Sequence, residues 1–151
     1  MTQEDKFRIY GTPGHKNLVM IESPFPLVIA WDLGITINGF NAHKDIKDNL
    51  EAALNCLLDH YGLEEIQRLK IDHFGGCYNY RRMRGGSKWS SHAWGIAIDL
   101  YPTKNGLRTK APKAAFSHSD YDALHRIMEE HNFINYGKEK GYDWMHFEIK
   151  D

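Results

Sequence analysis

The sequence predicts an α+β fold, and three observations support this class. Two segments repeat apolar residues at intervals of three and four, which is the period of an amphipathic helix, whereas three shorter segments alternate or cluster apolar residues as strands do. The length of 151 residues, with 42% hydrophobic and 26% charged residues, is typical of one globular domain. Repeats, linkers and low-complexity tracts are absent from the sequence. We therefore expect a single domain spanning residues 1–151.

The beginning of the chain is expected to be irregular. Residues 11–26 are rich in glycine and proline, with the run GTPG at 11–14 and the run PFP at 24–26. Such clusters interrupt helices and strands. The sequence therefore predicts that residues 1–40 form an irregular N-terminal arm packed on the domain.

Two helices are predicted farther along the chain. The first follows Asn41 and ends at Gly62, and its apolar stripe consists of Ile46, Leu50, Ala53, Leu54, Leu57, Leu58 and Tyr61. The second runs from Asp120 to His131, with Ser119 as its N-cap. Its inward-facing residues are predicted to be Tyr121, Leu124, Ile127 and Met128.

Short strands are predicted at 69–74, 94–100 and 145–149. Alternation along an extended chain would place Asp99 on one face with the small residues Gly95 and Ala97. His92 has the wrong parity for this face, so the backbone is expected to bend between His92 and Gly95, where glycine makes a bend easy. On the last strand, the same alternation places His146 and Glu148 side by side.

Two segments contain residues suited to binding a metal ion. Residues 90–99 read SSHAWGIAID and residues 143–148 read DWMHFE. Together they supply two imidazoles and one carboxylate, a donor set that zinc hydrolases use while keeping a position open for water. We expect His92, Asp99 and His146 to hold one zinc ion per chain. His73 is left out of this set, and the other histidines are expected at the surface or hydrogen-bonded in the core: His15, His43, His60, His118, His125 and His131.

These segments resemble the signature of the M15 family of zinc D,D-peptidases and L-alanyl-D-glutamate peptidases, which is S-x-H-x-x-G-x-A-x-D followed later by D/E-x-x-H. Every fixed position is present: Ser90, His92, Gly95, Ala97, Asp99, Asp143 and His146. Residues 76–87 also look like the arginine-bearing approach of that family. The resemblance extends over residues 70–151, and it implies the small Hedgehog/D,D-peptidase fold, an antiparallel sheet with flanking helices.

The resemblance also implies roles for individual residues. Asp143 holds the general-base position of the family, and Arg81 best matches the arginine that stabilises a carbonyl oxyanion or anchors substrate. Glu148 is the alternative base, although we favour it as the acceptor that fixes an imidazole N–H. Further substrate-binding or supporting residues are predicted to be Ser90, Arg84 and Trp94.

The implied reaction is hydrolysis of a peptide bond in the stem peptide of bacterial peptidoglycan. The form of the motifs looks most like an L-alanyl-D-glutamate endopeptidase that acts as a phage or prophage lysin. A D-Ala-D-Ala carboxypeptidase or dipeptidase of the same family is one alternative. A zinc-stabilised binding domain without catalysis is another.

Composition and charge argue against other partners. A formal net charge of −1 gives no basis for nucleic-acid binding. No apolar run approaches the roughly 18 residues needed to cross a bilayer, so a membrane partner is not expected. The first residues lack a secretory signal, so we expect a protein that is cytoplasmic when synthesised and reaches the wall after the membrane is permeabilised.

Cys56 and Cys77 form no C-x-x-C pair and are expected to be reduced, although the sequence leaves a disulfide between them open. The sequence does not predict an oligomeric state.

Overall fold

The computed structural model describes residues 1–150, which contain six strands and four helices. The strands are β1 Leu18–Ile29, β2 Thr36–His43, β3 His73–Gly76, β4 Ala97–Leu100, β5 Phe133–Asn135 and β6 His146–Ile149. The helices are α1 Gln3–Tyr10, α2 Lys47–Arg68, α3 Asp122–Glu130 and α4 Tyr136–Lys140.

All six strands form one sheet in the order β2-β1-β3-β4-β6-β5. Neighbouring strands are antiparallel except β1 and β3, which are parallel. Helix α2 packs on β1 and against α3, and the apolar residues of these elements form one continuous core. The predicted α+β class, a small domain with a mostly antiparallel sheet and flanking helices, is therefore confirmed.

The first predicted helix is confirmed along its apolar stripe. Leu50, Leu54 and Leu57 are almost completely buried, and each such side chain contributes about 1.5–3 kcal/mol to stability. The helix begins later than predicted because residues 41–43 belong to β2. Gly62 does interrupt the helix, with φ 76° and ψ 158°, but the chain then resumes helical structure as far as Arg68.

The second predicted helix is also found, with a different start. Leu124, Ile127 and Met128 are buried, as the apolar spacing predicted. Ser119 is not its N-cap, because residues Ser119–Tyr121 form a 3-10 turn that delays the helix to Asp122. Tyr121 occupies the cap position without a side-chain hydrogen bond.

The irregular arm predicted for residues 1–40 is wrong. Helix α1 begins with a capping box in which Thr2 and Asp5 bond each other's backbone N–H groups. Strands β1 and β2 then pair as an antiparallel hairpin, and the pairing register shifts between Glu22 and Leu27. The two prolines of 24–26 lie in this irregular stretch, where a missing N–H breaks no regular ladder.

Strands β4 and β6 are found where two of the strands were predicted, with shifted ends. The strand predicted at 69–74 is mostly wrong, because residues 69–72 form a turn after α2 and only residues 73 and 74 belong to β3. Strands β4 and β6 are neighbours, and in their register Asp99 lies opposite His146. The sheet therefore brings two of the three predicted ligands together across 47 residues of sequence.

Two further expectations concern the state of the cysteines and the presence of membrane-spanning helices. Cys56 and Cys77 are both free thiols; Cys77 is buried, which raises the pKa of its thiol, and Cys56 is half-buried. Among residues 1–150, no helix combines the length and apolar character that crossing a bilayer requires.

Candidate metal centre

His92 lies in a short turn between the sheet and the loop that precedes it. Residues Ser91–Ala93 form a 3-10 turn, and the Ser90 hydroxyl accepts a hydrogen bond from the His92 N–H at 3.2 Å. The turn ends before Gly95, whose φ is 72°. The bend predicted between His92 and Gly95 is therefore confirmed.

Gly95 is needed at this bend for two reasons. Its positive φ is unfavourable for residues with a side chain. In addition, a Cβ atom there would lie 2.9 Å from the backbone nitrogen of His43 and 2.9 Å from Leu18 Cδ2. The close approach lets the Gly95 carbonyl accept a bond from the His43 N–H at 2.9 Å, which ties the turn to β2.

The three predicted ligands converge around the carboxylate of Asp99. His92 Nε2 lies 3.2 Å from Asp99 Oδ2, and His146 Nδ1 lies 3.2 Å from Asp99 Oδ1. One ligand atom from each residue falls within 4.8 Å of the others. Among the described residues, His92, Asp99 and His146 form one group of side chains whose geometry could hold a metal ion.

The hydrogen bonds on the far sides of the two rings define which nitrogens face Asp99. His92 Nδ1 lies 2.8 Å from the Cys77 carbonyl, which can only accept, so Nδ1 carries the proton of a neutral ring. His146 Nε2 lies 2.9 Å from Glu148 Oε1 and donates to that carboxylate. The remaining nitrogens therefore present lone pairs towards the Asp99 oxygens. This arrangement is unfavourable without a proton or a cation between them, and its donor set fits zinc.

Electrostatics favour positive charge at the same place. Burial alone lowers the pKa of the His146 imidazole, but hydrogen bonds to Asp99 and Glu148 outweigh burial and raise the pKa to about 9. Burial likewise raises the pKa of Glu148, yet its contacts with His146, Lys6 and Ser91 bring that pKa down to about 2. Asp99 also has a lowered pKa, because both imidazoles offset the penalty of burial.

Glu148 lies on the same strand face as His146, as alternation predicted. Besides the imidazole it accepts a hydrogen bond from the Tyr136 hydroxyl at 2.9 Å. The carboxylate is only 4% exposed. Glu148 is therefore placed to orient the His146 ring through Nε2, the nitrogen that faces away from Asp99. This is the arrangement expected of an acceptor that fixes the ring.

Asp143 lies beside the cluster in a left-handed backbone conformation, with φ 62°. Its Oδ2 is 3.9 Å from His146 Nδ1, and its Oδ1 is buried without a hydrogen-bond partner among residues 1–150. Burial raises the pKa of this carboxyl, while the charge of His146 lowers it less strongly. The free oxygen is available to a water molecule or a substrate group.

The cluster lies in a cavity of about 320 Å³. Arg81, Arg84 and Ser90, all predicted from the sequence, line it together with the three ligands, Asp143 and Glu148. Arg81 is half-buried and Arg84 is exposed. The structure thus brings eight of the nine predicted site residues to one cavity.

Trp94 is the exception, and its predicted place at the site is wrong. Its side chain is 1% exposed and belongs to the apolar core. The indole Nε1 donates to the Gly11 carbonyl at 2.8 Å, and the ring packs edge-on against Phe7 at 5.2 Å. Trp94 does not line the cavity, because α1 packs on its ring, and the sequence of residues 90–99 does not reveal this contact.

The remaining histidines agree with their structural interpretation where contacts are described. The ring nitrogens of His43, His125 and His131 bond backbone carbonyls at 2.8–2.9 Å. His73 packs edge-on against Tyr101 at 5.5 Å.

Sequence reasoning missed several residues that line the cavity. Lys6, Ser91 and Tyr136 contact Glu148 or its partners, and Leu107, Tyr142 and Met145 form apolar walls. Lys6 was missed because residues 1–40 were taken as irregular. The capping box formed by Thr2 and Asp5 was a signal for α1 that the sequence did contain.

Comparison with known proteins finds one matching family. Residues 84–149 match the sequence model of an M15 peptidase family described as D-alanyl-D-alanine carboxypeptidase, a region of a little under half of the chain. No curated protein matches the chain. The matched region contains the three ligands, Asp143 and Glu148, whereas Arg81 and α1 lie outside it. Residues 84–149 of the chain are therefore similar to the M15 peptidases.

Proposed function

We propose that this protein is a zinc-dependent peptidase that hydrolyses a peptide bond in the stem peptide of peptidoglycan. The observation that carries the proposal is the convergence of His92 Nε2 and His146 Nδ1 on the two oxygens of Asp99 at a cavity wall. The far nitrogens of both rings are already occupied by acceptors. The inner nitrogens are thus left as ligands for one ion.

Asp143 is the proposed general base. His92, Asp99 and His146 would hold a zinc ion, which would polarise the scissile carbonyl and lower the pKa of an attacking water. Asp143 Oδ1, which has no hydrogen-bond partner among the described residues, would accept the proton of that water and then deliver it to the departing amine. Glu148 is less suited to this task because Tyr136 and His146 already occupy it.

Arg81 is the proposed partner of the negative charge that develops on the substrate. Its backbone is fixed by the bond from the Ser90 N–H to the Arg81 carbonyl at 3.1 Å, so the arginine and the turn bearing His92 are placed together. A guanidinium at the cavity wall stabilises the carbonyl oxyanion or anchors a substrate carboxylate. Arg84, exposed at the same cavity, is placed to meet a further carboxylate of the substrate.

Within this function we favour an L-alanyl-D-glutamate endopeptidase, which needs room for peptide on both sides of the cleaved bond. In support, Leu107 and Tyr142 line both the metal cavity and a second cavity, which also contains Arg108 and Lys110. The cleft thus extends past the metal centre. A D-Ala-D-Ala carboxypeptidase is the second candidate, favoured by the description of the matching family.

The proposed setting is phage or prophage lysis. It rests on the resemblance of the motifs to those of lysins. In this setting the protein accumulates in the cytoplasm and reaches the wall after the membrane is permeabilised.

Digestion of purified cell wall tests the function and separates the alternatives. Zinc-loaded protein is incubated with peptidoglycan and the new termini are identified. New N-terminal D-Glu supports the endopeptidase, and released D-Ala supports the carboxypeptidase. Stoichiometric zinc with no new terminus, on walls of several chemotypes, would indicate a zinc-stabilised binding domain instead.

Replacing Asp143 by alanine tests the base. We expect Asp143→Ala to bind zinc nearly as the wild type does and to lose about 10²- to 10⁴-fold in kcat, the usual contribution of a positioned acid-base group. Asp59→Ala, at an exposed position of α2, is the control and keeps full activity. Activity retained in Asp143→Ala would move the base to Glu148.

A further inference from the structure

Helix α1 lies against the segment that bears His92. Gln3 Nε2 donates to the Trp89 carbonyl at 3.0 Å, and Gln3 Oε1 accepts from the Trp89 N–H at 3.0 Å. Phe7 packs on the Trp94 ring. Both ends of residues 89–94 are therefore held by α1, although the helix lies outside the region that matches the family.

Lys6 is the residue of α1 that reaches the cavity. It is only 7% exposed, and its Nζ donates to Ser91 Oγ at 2.7 Å and lies 3.8 Å from Glu148 Oε2. A buried ammonium is costly unless it is paired and hydrogen-bonded, so this position is strongly determined by its partners.

The two partners of Lys6 belong to different ligand segments. Ser91 directly precedes His92 in the 3-10 turn. Glu148 shares β6 with His146 and holds its ring at 2.9 Å. Lys6 thus contacts both of the segments that supply the first and last predicted ligands.

We propose that Lys6 is a positioning residue of the metal centre, which bridges Ser91 and Glu148 and so keeps both imidazoles oriented for one ion. The inference rests on the proposed zinc function. Lys6 acts through Glu148 and the turn.

Two roles of Lys6 predict opposite changes in zinc affinity when the lysine is removed. An ammonium in the same cavity as a divalent cation repels it, so loss of the lysine alone would tighten zinc binding. If Lys6 orients the ligands, its loss weakens binding, because groups that orient ligands typically contribute about 10- to 100-fold in metal affinity. The sign of the change therefore distinguishes the two roles.

The experiment measures zinc affinity by competition with a chromophoric chelator. We expect Lys6→Met to bind zinc about tenfold more weakly than the wild type, at the low end of such effects because Lys6 acts one contact away from the ring. Lys6→Arg keeps the cation and is expected to retain most of the affinity. Arg8→Met removes an exposed cation from the same helix and is the matched control, with unchanged affinity.

A double-mutant cycle tests the path through Glu148. In a Glu148→Gln background, Lys6→Met is expected to change the affinity by less than about threefold, because residues in one network are not additive. Should Lys6→Met fail to fold, as judged by circular dichroism, Lys6→Gln decides in the same way.

The outcomes separate this inference from the proposed function. Unchanged or tighter zinc binding by Lys6→Met, with a wild type that binds one zinc, overturns the role of Lys6 and leaves the metal centre intact. Additive losses in the double mutant likewise overturn the path through Glu148. A wild type that binds no zinc overturns both proposals.

Discussion

The two histidine-bearing segments of the metal centre are fixed by different means. His92 sits in a 3-10 turn, and backbone groups hold it: the Cys77 carbonyl bonds its ring, and Gly95 permits the turn to approach β2. His146 sits on a regular strand, and the carboxylate of Glu148 orients its ring. The first segment thus depends on backbone conformation and the second on buried charge.

This difference predicts how each segment fails. A change that strains the turn lowers the stability of the protein even without metal, because the backbone conformation itself becomes unfavourable. A change that neutralises Glu148 acts on the orientation and basicity of one ligand, so its main effect appears in metal affinity.

The largest effect on stability is expected at Gly95. We expect Gly95→Ala to lower the free energy of unfolding of the metal-free protein by more than about 2 kcal/mol, because a left-handed alanine costs about 1–2 kcal/mol and the new Cβ meets backbone as well. Urea unfolding measures the change.

Gly141 provides the matched control, since its φ of 83° is also positive but nothing lies within 4 Å of a Cβ there. Gly141→Ala is expected to cost only the conformational part, about 1 kcal/mol. Equal losses in the free energy of unfolding in both variants would show that the close approach of Gly95 to His43 does not contribute to the effect.

A neutral residue at position 148 tests the segment held by charge. We expect Glu148→Gln to weaken zinc binding about 10- to 100-fold, because the amide still accepts from His146 but no longer raises the basicity of the ring. The affinity is measured by competition with a chelator.

Glu139, exposed on α4, provides the comparison for this charge removal, and Glu139→Gln should bind zinc as the wild type does. If both variants bound equally tightly, the orienting role of Glu148 would be wrong, and the contrast between the two segments would disappear.

The smallest effect is expected from the cap of the His92 turn. Ser90→Ala removes the hydroxyl that accepts from the His92 N–H, and we expect a loss of about 1 kcal/mol in the free energy of unfolding, as for other N-caps. Ser119→Ala is the control, since Ser119 caps no helix, and its expected change is within about 0.5 kcal/mol. A Ser119→Ala effect as large as that of Ser90→Ala would contradict the assigned caps.

The sequence predicted the structure from α2 onward better than that of the first forty residues. The apolar stripe of α2, the buried face of α3 and the alternation on β4 and β6 are local patterns, and they appear where expected. The first forty residues were taken as irregular because their glycines and prolines dominate the local signal. Pairing of β1 with β2 overrides that signal, since the sheet tolerates prolines where the ladder is already irregular.

The candidate site divides in a similar way. The residue types predicted the donor set of His92, Asp99 and His146, which the structure brings together. The parity of the strand predicted that the chain must bend before Gly95. Trp94 was misplaced, because alternation describes the two faces of a strand but not which helix covers them.

By itself the sequence predicted the residue types of the candidate site: two histidines and a carboxylate that could hold a metal ion, a carboxylate three residues before the last histidine, and arginines ahead of the first. Only the tertiary structure decided which nitrogen of each ring faces Asp99, which side chains hold the rings, and that α1 brings Lys6 between the two segments. The physical reason is range. Ligand type and strand parity are local properties, whereas the contacts that orient buried polar groups join residues far apart in sequence and exist only once the sheet has formed.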